Sequence, residues 1–254
     1  MNAYGPCFAK VYDLRWSAFA AGIAPGIHTY YETACPDGKK SLLDICCGTG
    51  QLSAFFLEKG YRVAGIDSSE PMLSHARAHA ADYLSAGKAQ FIQADASDFR
   101  IQDRFGLAVS TYDSLNHLPN EEALASCVRR VLEACEGMFV FDLNTRRGLR
   151  RWNGISVEDT DDGTFIVNRG IHDGHADRAW ARITGFVPAS DGKFERFDET
   201  AFNSVFDLER VRQILLDAGW QRVHIAASAD LASPVRDPES LGRAFFVAFA
   251  PCLA

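Results

Sequence analysis

The chain has 254 residues, with 26 lysines and arginines against 33 aspartates and glutamates and a formal net charge of −7. That length suits one large α/β domain or one domain carrying an insertion, and 47% apolar with 23% charged residues excludes disorder for the bulk of it. The acidic balance argues against non-specific nucleic-acid or lipid binding, and no run approaches the ~20 apolar residues of a membrane span. The N-terminus lacks the pattern of a signal peptide, so a cytoplasmic protein without membrane or nucleic-acid partners is expected.

From residue 41 short apolar runs alternate with helical periodicity. SLLDIC at 41–46 reads as a strand running into Cys47, Gly48, Thr49 and Gly50, after which Leu52, Phe55 and Phe56 follow at helical spacing until Gly60. A second strand at 61–66 ends at Asp67, and Ser68 or Ser69 caps a helix with Pro71 in its first turn. A third strand at 90–93 ends near Asp95, and a fourth at 107–110 runs into TYDSLNH at 111–117. Pro119 opens a helix to about Cys135, and 138–141 is a fifth strand. This repetition implies a parallel sheet covered on both faces, with ligands held at the carboxyl ends of its strands.

Beyond Arg146 the rhythm changes. Segments 164–168, 179–183 and 201–205 read as strands separated by Asp/Gly turns, an antiparallel insertion rather than another strand–helix unit. Helical spacing returns at Leu208, Val211, Ile214 and Leu215 and stops at Gly219. Two final strands near 222–226 and 244–249 are joined by a stretch, holding Pro234 and Pro238, that reads as a loop.

Seven scattered cysteines (Cys7, Cys35, Cys46, Cys47, Cys127, Cys135 and Cys252) include no C-x-x-C pair. Reduced thiols account for them, and no metal site is expected.

The chemistry starts at the glycine turn, where backbone approaches a ligand closely and aims free N–H groups at it. Ser53 stands where a dinucleotide fingerprint prefers Gly or Ala. Asp67 closes the second strand, placed to accept from two ribose hydroxyls. NAD and S-adenosylmethionine both use that arrangement. Asp95, a carboxylate placed for an exocyclic adenine amine, separates them.

With it, LLDICCGTGQLS (42–53), GYRVAGIDSSEPML (60–73), FIQADASDF (91–99), FGLAVSTYDSLNHLPNEEAL (105–124) and GMFVFDLNT (137–145) resemble the class I S-adenosylmethionine-dependent methyltransferases. DLERVRQILLDAGW (207–220) and GRAFFVAFA (242–250) extend the resemblance over most of the chain. It implies a Rossmann-like seven-stranded, mostly parallel sheet with an antiparallel last strand, plus the β insertion after the fifth strand. S-adenosylmethionine is the implied cofactor and S-adenosylhomocysteine the product.

By the same resemblance Gly48, Thr49 and Gly50 face the methionine part, with Asp44 orienting the turn. Asp67 holds the ribose, Asp95 the adenine, and Ser68 and Met72 line that side. Ala96 offers its N–H, and Ser110 and Thr111 lie below the sulfonium. Cys46 departs from the glycine of stricter versions.

FAKVYDLRW (8–16) is similar to a subgroup of small-molecule methyltransferases that includes N,N-dimethyltransferases of nucleotide-linked amino sugars. There a helix closes over the cofactor, which makes Tyr12 a candidate cofactor contact and Tyr4 a candidate substrate contact. The implied organisation is a helical cap at 1–40, a cofactor domain at 41–145 and 206–254, and a substrate lid at 146–205.

His117, at the mouth beyond the fourth strand, is the candidate general base. Arg147, in a cluster with Arg146, Arg150 and Arg151, is a candidate partner for a substrate phosphate or carboxylate. Trp152 and Trp180 are candidate walls of an apolar pocket, and Arg243 is a substrate contact by resemblance. An amine acceptor need only be unprotonated, whereas a hydroxyl usually needs a base, and N-methylation of a small molecule is the preferred expectation. O-methylation, a nicotinamide oxidoreductase, a non-catalytic cofactor binder, and RNA or protein methylation are the alternatives.

Overall fold

In the computed structural model, which describes residues 4–189 and 191–251, the chain opens with α1 (Pro6–Arg15) and α2 (Ala18–Ala34); Cys252 lies outside the described residues. Then follow β1 (Ser41–Ile45), α3 (Gln51–Glu58), β2 (Arg62–Asp67), α4 (Glu70–His79), α5 (Ala81–Ser85) and β3 (Ala89–Gln93). β4 (Phe105–Ser110), α6 (Glu121–Ala134), β5 (Cys135–Asn144) and α7 (Arg146–Leu149) come next. Four strands succeed one another as β6 (Gly154–Asp159), β7 (Phe165–Ile171), β8 (Arg178–Pro188) and β9 (Phe194–Ser204). The chain closes with α8 (Leu208–Ala218), β10 (Arg222–Ala227), β11 (Asp230–Pro234) and β12 (Arg243–Phe249).

Local chemistry explains these boundaries. β1 is buried at every position, as a strand covered on both faces must be. α6 sets Leu124, Cys127, Val128 and Val131 on one stripe, and the Asn120 Oδ1 at its N-cap accepts the Ala123 N–H at 2.9 Å. Ser69, not Ser68, caps α4. Gly219 ends α8 in a left-handed conformation, φ 110°.

The main sheet has eight strands in the order β11-β10-β12-β5-β4-β1-β2-β3. The strands from β5 to β3 are parallel neighbours, while β12 runs antiparallel to both β5 and β10. The expected seven-stranded core and its antiparallel last strand are therefore present, and the count is corrected to eight by β11. This short edge strand pairs antiparallel with β10 in the stretch expected to be a loop. Pro234 is compatible with it because an edge strand leaves backbone donors unclaimed on one side.

Side chains of β5 alternate between two cores. Phe139 and Phe141 pack with Phe246, Trp220 and the stripes of α6 and α8, while Met138 and Val140 pack with Phe245 and residues of α2 and α3.

The insertion forms a second, wholly antiparallel sheet in the order β6-β7-β8-β9. It has one strand more than expected, β6, and its two longest strands run 11 residues each. Buried amides fasten it to the carboxyl edge of the main sheet. Asn116 Nδ2 donates to the Ser204 carbonyl at 2.8 Å, Asn144 Nδ2 to Asn203 Oδ1 at 2.9 Å, and Ser204 Oγ to the Leu118 carbonyl at 2.7 Å. Among the described residues no helix is long and apolar enough to cross a membrane, and no group of His, Cys, Asp or Glu side chains is placed to hold a metal ion.

Candidate active site

β1 pairs with β2 on one side and β4 on the other, so successive connections leave in opposite directions and a crevice opens at the carboxyl ends. A cavity of about 650 Å³ occupies it, within the usual range for small-molecule sites. Cys46, Gly48, Asp67, Ser68 and Met72 form its floor, and Tyr112, Asp113, Ser114 and His117 one wall. The inner face of the second sheet roofs it through residues such as Asn168 and Ala181, and α1 closes it with Phe8 and Tyr12, preceded by Tyr4 and followed by Trp16.

Asp67 organises the floor. Its Oδ2 accepts the Gly48 N–H at 2.9 Å and its Oδ1 the Ser69 N–H at 2.8 Å. Burial raises its pKa while those bonds oppose the rise. A carboxylate has about four acceptor directions, so capacity remains for ligand hydroxyls.

Gly48 has φ 54°, and a Cβ there would stand 3.7 Å from the Tyr12 ring, across the opening. Cys46 also takes a positive φ, 56°, which is the physical reason the family pattern prefers glycine there. Gly50 and Thr49 do not line the cavity. A Cβ on Gly50 would come within 2.8 Å of Ala76 Cβ, so this glycine lets α3 meet α4. The buried Thr49 accepts from His79 Nδ1 at 2.8 Å through its carbonyl and donates to Gln51 Oε1 at 2.7 Å. Asp44 lies beneath the turn, accepting from Ser53 Oγ at 2.6 Å, and burial pushes its carboxyl up to about 7.

Asp95 stands outside the cavity, exposed. Its Oδ1 accepts both the Ser97 N–H at 2.7 Å and the Ser97 Oγ at 2.6 Å. Ala96 is buried in the core beneath it. Ser110 and Thr111 are buried at the end of β4 without lining the cavity, and Ser110 Oγ has no hydrogen-bond partner among the described residues.

After β4 the backbone turns through Tyr112 at φ 65° and Asp113 at φ 51°, a conformation that costs side-chain-bearing residues about 1–2 kcal/mol each. Asp142, fully buried at the end of β5, holds that turn by accepting the Tyr112 and Asp113 N–H groups at 2.7 and 2.9 Å. Arg243 pairs with Asp142 and, at 2.6 Å, with Asp113, flanked by the rings of Phe19 and Tyr112. It thus reaches the cavity as a cation already neutralised. Sequence reasoning missed Asp142, although an aspartate near a strand's carboxyl end is the same signal that singled out Asp67.

Of the arginine cluster, Arg147 is exposed and outside the cavity. Arg146 is spent on the Gly174 and Ala176 carbonyls. Arg151 is the member that lines the cavity. Trp152 lines it as well, but Trp180 does not; its ring is tilted against that of Phe202, 5.6 Å away, on the far face of the second sheet.

His117 Nε2 lies 3.2 Å from Tyr4 Oη, and the ring also bonds the backbone of Phe202. A backbone carbonyl can only accept, so that bond takes the other ring N–H and leaves Nε2 to accept the Tyr4 O–H. Burial lowers the pKa of His117 and raises that of Tyr4, which keeps an uncharged imidazole beside an uncharged phenol.

Glu199 of β9 pins this end of the cap by accepting the Tyr4 and Gly5 N–H groups at 3.2 and 2.9 Å. Asp13, near the other end of α1, accepts from Gln51 Nε2 at 2.7 Å and faces His75 and His79 at 3.3 and 3.4 Å.

Residues 42–134, from β1 to α6, match a family described as a methyltransferase domain. A Geobacillus sp. (strain WCH70) protein, provisionally named a methyltransferase, is 28% identical over 217 residues, 83% of this chain and 85% of that one. The dTDP-3-amino-3,4,6-trideoxy-alpha-D-glucopyranose N,N-dimethyltransferase of Streptomyces venezuelae is 35% identical over 132 residues, 50% of this chain and 52% of the relative. The sugar N-methyltransferase KedS8 from Streptoalloteichus sp. ATCC 53650 shares the fold, with a TM-score of 0.76 at 22% identity over 98% of this chain and 93% of that one.

Proposed function

We propose that this chain is a class I S-adenosylmethionine-dependent methyltransferase, a reading supported by the family match and the similar proteins, and that it methylates the amine nitrogen of a small molecule held beneath the second sheet. S-adenosylmethionine supplies an electrophilic methyl group on a cationic sulfur. The residues present fit that cofactor. Asp67 keeps acceptor capacity after its two backbone bonds, and Gly48 offers an approach no side chain obstructs. Ser68, Met72 and Tyr12 wall the same space, Asp44 supports the glycine turn, and Asp95 sets the turn that presents the Ala96 N–H.

The observation that carries the preference for nitrogen is the similarity to the N,N-dimethyltransferase of S. venezuelae, and the contact between neutral Tyr4 and neutral His117 offers a route for the proton that the nitrogen must lose. An amine arrives as an ammonium and must lose a proton before its lone pair is available. Tyr4 Oη takes that proton as its own passes to His117 Nε2, and the imidazolium that results is favoured by the nearby charge of Asp113. Positioning by the aromatic closure of α1 and exclusion of water supply the rest of the acceleration. The dimethyltransferase relative from S. venezuelae supports an amino-sugar acceptor.

The 1–40 cap and the 146–205 insertion act as the lid, with Trp152 against the acceptor and Arg151, in place of Arg147, meeting a phosphate or carboxylate on it. A cytoplasmic location suits the scattered thiols.

The test is transfer of an isotope-labelled methyl group to a panel of nucleotide-linked sugars bearing an amine or a hydroxyl at the same carbon. The label is expected on the amines, and labelling of the hydroxyl compounds instead would overturn the reading.

A further inference from the structure

Tyr4 is held more firmly than the closing of a cap requires. Its φ of 75° lies in the left-handed region, which a bulky side chain enters only where its surroundings keep it there. Three bonds from two parts of the fold do so. Glu199 Oε2 and Oε1 accept the Tyr4 and Gly5 N–H groups at 3.2 and 2.9 Å. From the opposite side Ser69 Oγ, at the N-cap of α4, donates to the Tyr4 carbonyl at 2.9 Å.

An ordinary helix cap would bond elsewhere. Capping side chains accept from N–H groups of the helix's own first turn, whereas α1 begins at Pro6 and Glu199 grips the two residues before it. Alternation along β9 puts Glu199 on the inner face with Phe197 and Ala201, yet only Ala201 of the three lines the cavity. Among the described residues Glu199 forms no ion pair, so its carboxylate serves these two N–H groups.

The ring is aimed from the same strand. Phe197 meets Phe8 edge-on at 5.9 Å, and Phe8 stacks on Tyr4 at 4.8 Å, which leaves Tyr4 Oη 3.2 Å from His117 Nε2. Burial raises the pKa of the phenol, and the charges of Asp113, Asp67 and Glu199 add to the rise. The phenol therefore stays protonated until it exchanges one proton for another.

We propose that Glu199 is a positioning residue for methyl transfer, gripping the Tyr4 backbone so that the phenol stays on His117, a role that rests on the proton route from the acceptor amine through Tyr4 to His117.

Two measurements test this, and the first needs no acceptor, so it stands even if the amine reading fails. Nuclear magnetic resonance of the histidine rings follows the titration of His117 in the full chain loaded with S-adenosylhomocysteine, with His117→Gln assigning the signal. In Glu199→Ala the phenol should leave Nε2, and the His117 midpoint should rise by about 0.5–1 on the pH scale, the worth of one hydrogen bond to the neutral ring. Tyr4→Phe should give the same rise, and the double variant no more. The second measurement is labelled methyl transfer to the amino sugars. Glu199→Ala should lower kcat by about tenfold or more with KM for S-adenosylmethionine changed by less than about twofold, and should cost less than about twofold in the Tyr4→Phe background. Thermal stabilisation by S-adenosylhomocysteine shows that a variant is folded. If the alanine variant is not, Glu199→Gln, which keeps one acceptor, replaces it with a smaller change in the same directions. A His117 titration that does not move in the folded variant, or a loss of kcat that persists in full without the Tyr4 hydroxyl, would overturn the proposal.

Discussion

Replacing Asp142 by alanine tests whether one buried carboxylate holds the wall of the site. The side chain is fully buried and accepts the Tyr112 and Asp113 N–H groups at 2.7 and 2.9 Å while pairing with Arg243. Bonds to a charged acceptor contribute about 1.5–3 kcal/mol each, and two left-handed residues add about 1–2 kcal/mol of strain each. The full sum is not expected, because the freed turn can relax out of its strained conformation and expose its N–H groups to water. Arg243 also keeps Asp113, at 2.6 Å.

The expected loss is therefore about 3–5 kcal/mol, as for removal of one partner from a buried charge pair. Urea unfolding followed by tryptophan fluorescence and circular dichroism reads it. Because Ser114 and His117 follow the turn directly, turnover should fall with it. Combining Asp142→Asn with Arg243→Met should cost less than the two single changes together, by about 0.5–3 kcal/mol. A loss below about 1 kcal/mol for the alanine variant, or strict additivity in the cycle, would refute the role given to Asp142.

Asp67→Ala should weaken S-adenosylhomocysteine binding by about 1.5–3 kcal/mol in isothermal titration, and unchanged affinity would remove Asp67 from the site. The pH dependence of stability should report Asp44. Its folded pKa of about 7 lies above the ordinary 3.8, so the folded state binds the proton more tightly and stability falls as pH rises between those values, by at most about 4 kcal/mol. Thermal denaturation of Asp44→Asn across that range should lack this component, and parallel curves for the two proteins would contradict it. The acid limb of kcat/KM should lie below the usual histidine pKa of 6.5, because burial depresses that of His117. His117→Gln should lower the rate and flatten that limb; an unaltered limb would exclude His117 as the proton acceptor.

The order of elements, the parallel core and the glycine turn with Asp67 were all legible in the sequence, because each is written in local signals. Buried strands are continuous apolar runs, the α6 and α8 stripes repeat at helical spacing, and a turn that approaches a ligand needs glycine. β6 and β11 carried weaker signals. Their residues are mostly exposed, so neither shows the burial pattern that betrays a strand, and pairing with a neighbour alone makes them strands.

Whether a side chain reaches the cavity was settled by folding. Arg147 and Arg151 are four residues apart in one basic run, yet only Arg151 lines the space. Trp152 and Trp180 were equal candidates until the alternation of β8 turned Trp180 outward. Arg243, a candidate substrate contact, is neutralised by carboxylates 101 and 130 residues away in the chain. The nature of the local backbone is dictated by neighbours in sequence, through sterics and apolar periodicity. Which charges are already paired, and which faces are left bare, depends on contacts between distant segments, and only the tertiary structure decides those.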